Sequence, residues 1–340
     1  MTYKNFLEKA KTILDIIKDS KKEFYNQYYI YDNELGWDIK KNSKHNSLPY
    51  NSDAYGNRKI NNFKSSKKNK IVIIGDSMVH GDEVGDNETW GFFLSKKLKK
   101  TNLINLGVSG YGNDQAYLRF KRFLKKTKVK IAIFCFNSGN ELRNINIQRL
   151  FLNNKGQFVY LKPRFINKGN KIKLIKIPKN KEKDYYLFLK SKKVKEHLKK
   201  YDFFYPNFFK NILKKILKTL SYSFSYNHYL LLSRNNALNI TFRIFILFIS
   251  LCKKNKIIPI ILFLPKLSGN FKSEKNLIYL KEKLEEKKIN TFYPRDIFFN
   301  NEGKVIKKYF CDKNHYSKNG GKVLAETIYN YIRKKNFFNI

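Results

Sequence analysis

A chain of 340 residues with 42% hydrophobic side chains and 16% aromatics can bury a substantial core, which excludes global disorder. The formal net charge of +43 raises a nucleic-acid or membrane-surface reading, yet only 10 of the 70 basic residues are Arg, whose planar fork suits bases and phosphates. No RNP motif, zinc knuckle or helix-turn-helix pattern accompanies the charge, so it reads as a solvated Lys-rich surface and no specific nucleic-acid partner is expected.

Residues 3–20 carry Phe6, Leu7, Ala10, Ile13, Leu14 and Ile17 at helical spacing, and the charges among them rule out a signal peptide over residues 1–22. An aromatic stretch at 25–37 and a polar segment at 42–70 follow, so residues 1–69 read as an N-terminal extension, a helix plus a loop-rich lead-in. From Lys70 strand and helix patterns alternate. Residues 71–74, 131–136 and 257–264 are continuous apolar runs, with shorter strands at 103–106 and 290–293. Helices are expected over 90–100, 114–126, 237–252, 277–287 and 320–334. Strands separated by helices mean a parallel sheet with right-handed crossovers, an α/β architecture over residues 70–340. Residues 148–236 are too long for a crossover and read as an inserted cap or variable region with structure of its own. Its clearest pattern is an amphipathic helix over 206–220, with Phe208, Phe209, Ile212, Leu213, Ile216 and Leu217 opposite Lys210, Lys214, Lys215 and Lys218. It fits a cap packed over the sheet better than a helix lying on anionic lipid. The most apolar window, 244–252, is too short to span a bilayer. A cytoplasmic protein is expected, with no more than a weak contact to an anionic membrane surface.

Cys135, Cys252 and Cys311 are odd in number and widely spaced, which implies neither a disulfide framework nor a zinc site. The chemistry concentrates elsewhere. The run Ile71-Val72-Ile73-Ile74 is broken by Gly75, and Asp76-Ser77 follow at the carboxyl end of a strand, where open α/β sheets hold their ligands. Ser77 is therefore a candidate nucleophile, although a hydroxyl there also caps helices. It needs a base. Of the five histidines, His315 sits in Asp312-Lys313-Asn314-His315 before the last helix, and an acid three residues ahead can face the imidazole and hold its tautomer. His80, three residues from Ser77, competes for the role, with Asp82 as its nearest acid. Gly107-Val108-Ser109-Gly110 and Asn137-Ser138-Gly139-Asn140 end the neighbouring strands and offer backbone and amide donors for an oxyanion.

These four blocks, in this order, resemble the SGNH/GDSL hydrolase family. Gly75-Asp76-Ser77 resembles its first block, Asn105-Leu106-Gly107-Val108-Ser109-Gly110 its second, Ser138-Gly139-Asn140-Glu141 its third and Asp312-Lys313-Asn314-His315 its last. The resemblance covers about residues 70–145 and 236–334, and the lead-in at 31–37 together with Tyr111-Gly112-Asn113-Asp114-Gln115 is similar to a long bacterial branch of that family. It departs from the family pattern in Met78, where Leu is usual, and in an Asn of the third block shifted by one, which leaves Asn137 as an alternative donor. The resemblance implies a three-layer α/β/α sandwich of flavodoxin-like type with strand order 2-1-3-4-5. It implies a Ser77–His315–Asp312 triad, and an oxyanion hole from the N–H groups of Ser77 and Gly110 and the side chain of Asn140. The activity implied is serine ester hydrolysis, including carbohydrate O-deacylation, with no cofactor and no metal. Its substrate would be a small-molecule or carbohydrate ester. Two alternatives stand beside it: an O-acyltransferase using the same triad, and a non-enzymatic basic module that binds membrane or nucleic acid.

Overall fold

The computed structural model describes residues 1–18, 28–45, 48–60, 69–153, 158–205, 222–267, 271–300, 302, 304–312 and 314–337. The helix expected over 206–220 lies outside them. In chain order the strands are β1 (Tyr29–Asp32), β2 (Gly36–Ile39), β3 (Asn69–Ile74), β4 (Thr101–Asn105), β5 (Ile131–Asn137), β6 (Arg164–Lys168), β7 (Lys171–Ile175), β8 (Ile258–Leu264) and β9 (Thr291–Phe292). Five of them form one sheet in the order β4-β3-β5-β8-β9, with every neighbouring pair parallel. In order of appearance that is 2-1-3-4-5, the expected arrangement.

The sheet is parallel because its strands are apolar on both faces, so each face must be covered by helices. Ile71, Ile73, Ile131, Ile133, Ile260 and Leu262 pack on one side with Trp90 and Leu94 of the Trp90–Lys97 helix and Leu324, Ile328 and Ile332 of the Lys318–Lys334 helix. On the other side Phe134 meets Phe245 and Phe248 of the Tyr222–Lys254 helix at 5.6 and 5.1 Å, and Phe120 of the Asn113–Phe123 helix meets Phe248 at 5.4 Å. These are the three layers. The chain leaves β3 for β4 on one side and returns to β5 on the other. The carboxyl ends of β3 and β5 therefore flank the crevice where such sheets place their ligands.

Two compact units make up the chain: Met1–Asp38 with Glu141–Arg243, and Ile39–Asn140 with Ile244–Ile340. The first packs Phe6, Ala10, Ile13 and Leu14 of the Tyr3–Lys18 helix with Leu150, Val159, Phe188, Val194 and Leu198, and carries the β6–β7 hairpin. The second contains the sheet and a strap over residues 39–60. Arg58 in this strap makes an antiparallel bridge to Asn105, donates to Val84 O at 2.8 Å and pairs with Asp86 at 3.0 Å.

Among the described residues, Arg234–Lys254 is the one helix segment long and apolar enough to cross a membrane by length and composition, and 50% of its most apolar window is buried. The window 244–252, too short to span by itself, belongs to this longer helix, and its Phe245 and Phe248 are the rings that cover β5.

Candidate active site

Ser77 opens a one-turn helix, Ser77–His80, directly after β3. Asp76 caps it by accepting the Met78 N–H at 3.1 Å, and Gly81 ends it in the left-handed region. The loop after β4 lies flush against this turn: Val108 N–H donates to Gly75 O at 3.2 Å, and a Cβ placed on Gly107 would sit 2.3 Å from the His80 backbone nitrogen. Only glycine allows that approach.

The last block arrives from the far end of the chain. Tyr316 is held at the carboxyl end of the sheet by donating its hydroxyl to Pro265 O at 2.6 Å, and Ser317 caps the Lys318–Lys334 helix through the Gly320 N–H. Between these anchors and Cys311, Asp312 forms a tight turn in which Oδ1 accepts the N–H groups of Asn314 and His315, both at 2.6 Å. Its other oxygen lies 2.9 Å from His315 Nδ1, and His315 Nε2 lies 2.9 Å from Ser77 Oγ. The imidazole side chain is 15% exposed and the Asp312 side chain 44%. Burial pushes the Asp312 carboxyl up, but the two N–H bonds and the neighbouring His315 outweigh it, so the group stays below the usual carboxylate range. A neutral His315 whose Nδ1–H donates a hydrogen bond to Asp312 has an Nε2 lone pair directed at the serine hydroxyl.

The competing base is placed differently. His80 is fully buried, its Nδ1 is 2.6 Å from Asp82 Oδ1 and its ring meets Tyr50 edge-on at 5.1 Å. Burial, opposed in part by the Asp82 charge, lowers its affinity for a proton. In the sequence Asp82 stands only as a partner for His80. Its carboxylate also lies 2.7 Å from Ser109 Oγ at both oxygens, and burial is outweighed there by His80, His315 and Ser109, which together lower its pKa. No sequence pattern links residues 82 and 109.

Of the donor candidates, Gly110 follows Ser109 with φ +78°, and Asn140 and Asn137 both donate Nδ2 to Asp76 Oδ2 at 3.0 Å. Both amides are buried. Each keeps a second N–H beyond the one given to Asp76. Asp76 thus gathers the ends of β3 and β5 on one carboxylate. Ser77, Met78, Asp82, Trp90, His315 and Tyr316 are among the residues lining a small recess.

Among the described residues, Glu83, Asp312 and His315 form the one group whose ligand atoms could converge on a cation, all within 4.8 Å. Both ring nitrogens of His315 already face Asp312 and Ser77, so a cation there would compete with those bonds.

No protein-family model and no curated protein matches the chain. Solved structures similar to it include a GDSL-like lipase from Bacteroides thetaiotaomicron, 13% identical with a TM-score of 0.43, which covers 80% of this chain and 91% of that one. A psychrotrophic esterase from a Pseudoalteromonas species is 12% identical with a TM-score of 0.42, covering 79% of this chain and 98% of that one. The lipase/acylhydrolase from Enterococcus faecalis is 12% identical at 0.39, covering 78% and 96%.

Proposed function

We propose that the protein is a serine hydrolase of carboxylic esters. The observation that carries this reading is the line of three groups from Asp312 through His315 to Ser77, with 2.9 Å at each contact. In the first half-reaction Ser77 Oγ attacks the ester carbonyl while its proton passes to His315 Nε2. Asp312 stabilises the imidazolium that forms. The tetrahedral oxyanion is taken by the N–H groups of Ser77 and Gly110 and by an amide N–H of Asn140, which Asp76 orients, with Asn137 as the neighbouring alternative. Collapse breaks the ester C–O bond, and the leaving alkoxide takes the proton from His315. Water then repeats the sequence on the acyl-enzyme and frees the acid. The residues named supply every proton transfer, so no step calls for a cofactor.

Ser77→Ala tests this. The variant should lose at least a thousandfold in kcat on short-chain nitrophenyl esters while keeping the parent's melting temperature. A fluorophosphonate probe should modify the parent at Ser77 and leave the variant unlabelled. Turnover at the parental rate by Ser77→Ala would falsify the proposal. Acylated sugars and lipid esters, screened with the same two proteins, then identify the substrate class.

A further inference from the structure

We infer that Asp82 is a positioning residue that ties the loop carrying Gly110 to the turn carrying Ser77. This inference rests on the hydrolase reading for its functional meaning. Its structural content stands on the contacts alone.

The backbone of Asp82 belongs to the nucleophile turn, since its N–H donates to Ser77 O at 3.1 Å beside that of Gly81 at 2.8 Å. Its side chain belongs to the next loop, with Ser109 Oγ 2.7 Å from both carboxylate oxygens. One residue therefore spans the two loops that would supply nucleophile and oxyanion donor. The carboxylate is also held by His80, whose Nδ1 lies 2.6 Å from Oδ1. His80 is itself wedged against Tyr50, whose hydroxyl accepts the Glu83 N–H at 2.6 Å. Bonds from neutral donors to an ionised acceptor are roughly twice as strong as neutral pairs, and the Asp82 side chain is only 16% exposed. Gly107 against the His80 backbone is the second point of attachment. Just beyond Ser109 the chain turns through Gly110 at positive φ. Oxyanion donors act through preorganisation, and a displacement on the order of 1 Å is enough to cost a hundredfold.

The test uses Ser109→Ala, Asp82→Ala and the double variant in the full chain. Two readouts are taken: amide hydrogen exchange of the peptide covering residues 107–111, and kcat and KM on a short-chain nitrophenyl ester across pH. Ser109→Ala should speed exchange of that peptide and lower kcat by about ten- to a hundredfold, with KM within twofold and the pH profile unmoved. The double variant should be no slower than Asp82→Ala, because both substitutions break the same tie. Unchanged exchange in Ser109→Ala overturns the tie, and additive losses overturn it as well. A displaced pH profile would mean that Asp82 acts on His315 instead. If Asp82→Ala does not fold, Ser109→Ala decides the question by itself. A parent with neither turnover nor labelling at Ser77 refutes the hydrolase reading, while the exchange data still answer for the tie.

Discussion

Asp312 performs two tasks with one carboxylate. One oxygen fixes the turn through two backbone N–H groups and the other faces the imidazole, so the turn that presents His315 is also the turn that orients it. Asp312→Asn should therefore lower kcat by about ten- to a thousandfold, less than for a buried triad acid because this side chain is 44% exposed. A steady-state assay at saturating ester reads it. Asp76 has a different load: Asn137, Asn140 and the Met78 N–H all end on its carboxylate, at 3% exposure. Asp76→Ala leaves those donors unsatisfied, and the denaturant midpoint should fall by the equivalent of about 3 kcal/mol. Chelator should leave turnover unchanged, because His315 is committed to Asp312 and Ser77 on both nitrogens. A loss restored by one divalent cation would contradict that. The Asp312–His315 contact is legible in the chain because an i,i+3 pair closes on itself locally. The Asp82–Ser109 contact is not, since 27 residues and two strand ends separate the partners. His80 competes in the sequence for the same reason: only burial and ring orientation reveal which groups it faces.

Elements were readable where burial makes a sequence monotonous. The strands at β3, β5 and β8 are runs of apolar residues because both of their faces are covered, and their order follows from crossovers of fixed hand. The Tyr222–Lys254 helix begins 15 residues before the expected 237, and its Phe245 and Phe248 are among the residues that cover β5. The β6–β7 hairpin lies inside the stretch whose sequence carries no clear strand pattern, although Gly169-Asn170 is a two-residue turn signal, with Lys168 opposite Lys171 and Gly169 at φ +57°. Close packing between elements is the least legible feature, and it can be tested by adding a methyl group. Gly107→Ala would press a carbon 2.3 Å from the backbone of the Ser77–His80 turn and should cost about 3 kcal/mol of stability, with loss of ester turnover. A second test falls on the Lys192–Tyr201 helix. Burial, with the nearby Lys193 charge, lowers the His197 pKa from 6.5 to about 4. A group that binds its proton more weakly when folded stabilises the protein above its unfolded pKa, and that contribution is lost as pH falls from about 6.5 to about 4. The melting temperature should drop across this window, and His197→Leu should make the drop shallower.

Across the whole chain, what the sequence hides is long-range assembly within each unit. Tyr3 donates its hydroxyl to Leu189 O, and Phe6 meets Phe151 at 5.0 Å, contacts that no local pattern announces. Net charge, by contrast, is fully legible and has a consequence for the entire molecule. At +43 over 340 residues, like charges repel more strongly in the folded chain than in the expanded one. Salt shortens the range of that repulsion, from about 30 Å at 0.01 M to about 8 Å at physiological strength. Melting temperature should therefore rise between 20 and 300 mM sodium chloride, roughly, and rise further at the low end of that range than at the high end. Surface ion pairs weaken with salt and push the other way, but each is worth about 1 kcal/mol or less, and the chain has only 27 acids to form them. Polyanions should bind by the same charge, with an affinity that falls steeply with salt and is equal for the parent and Ser77→Ala. Binding that persisted at high salt, or that depended on Ser77 or His315, would instead locate the anion in the crevice at the ends of β3 and β5.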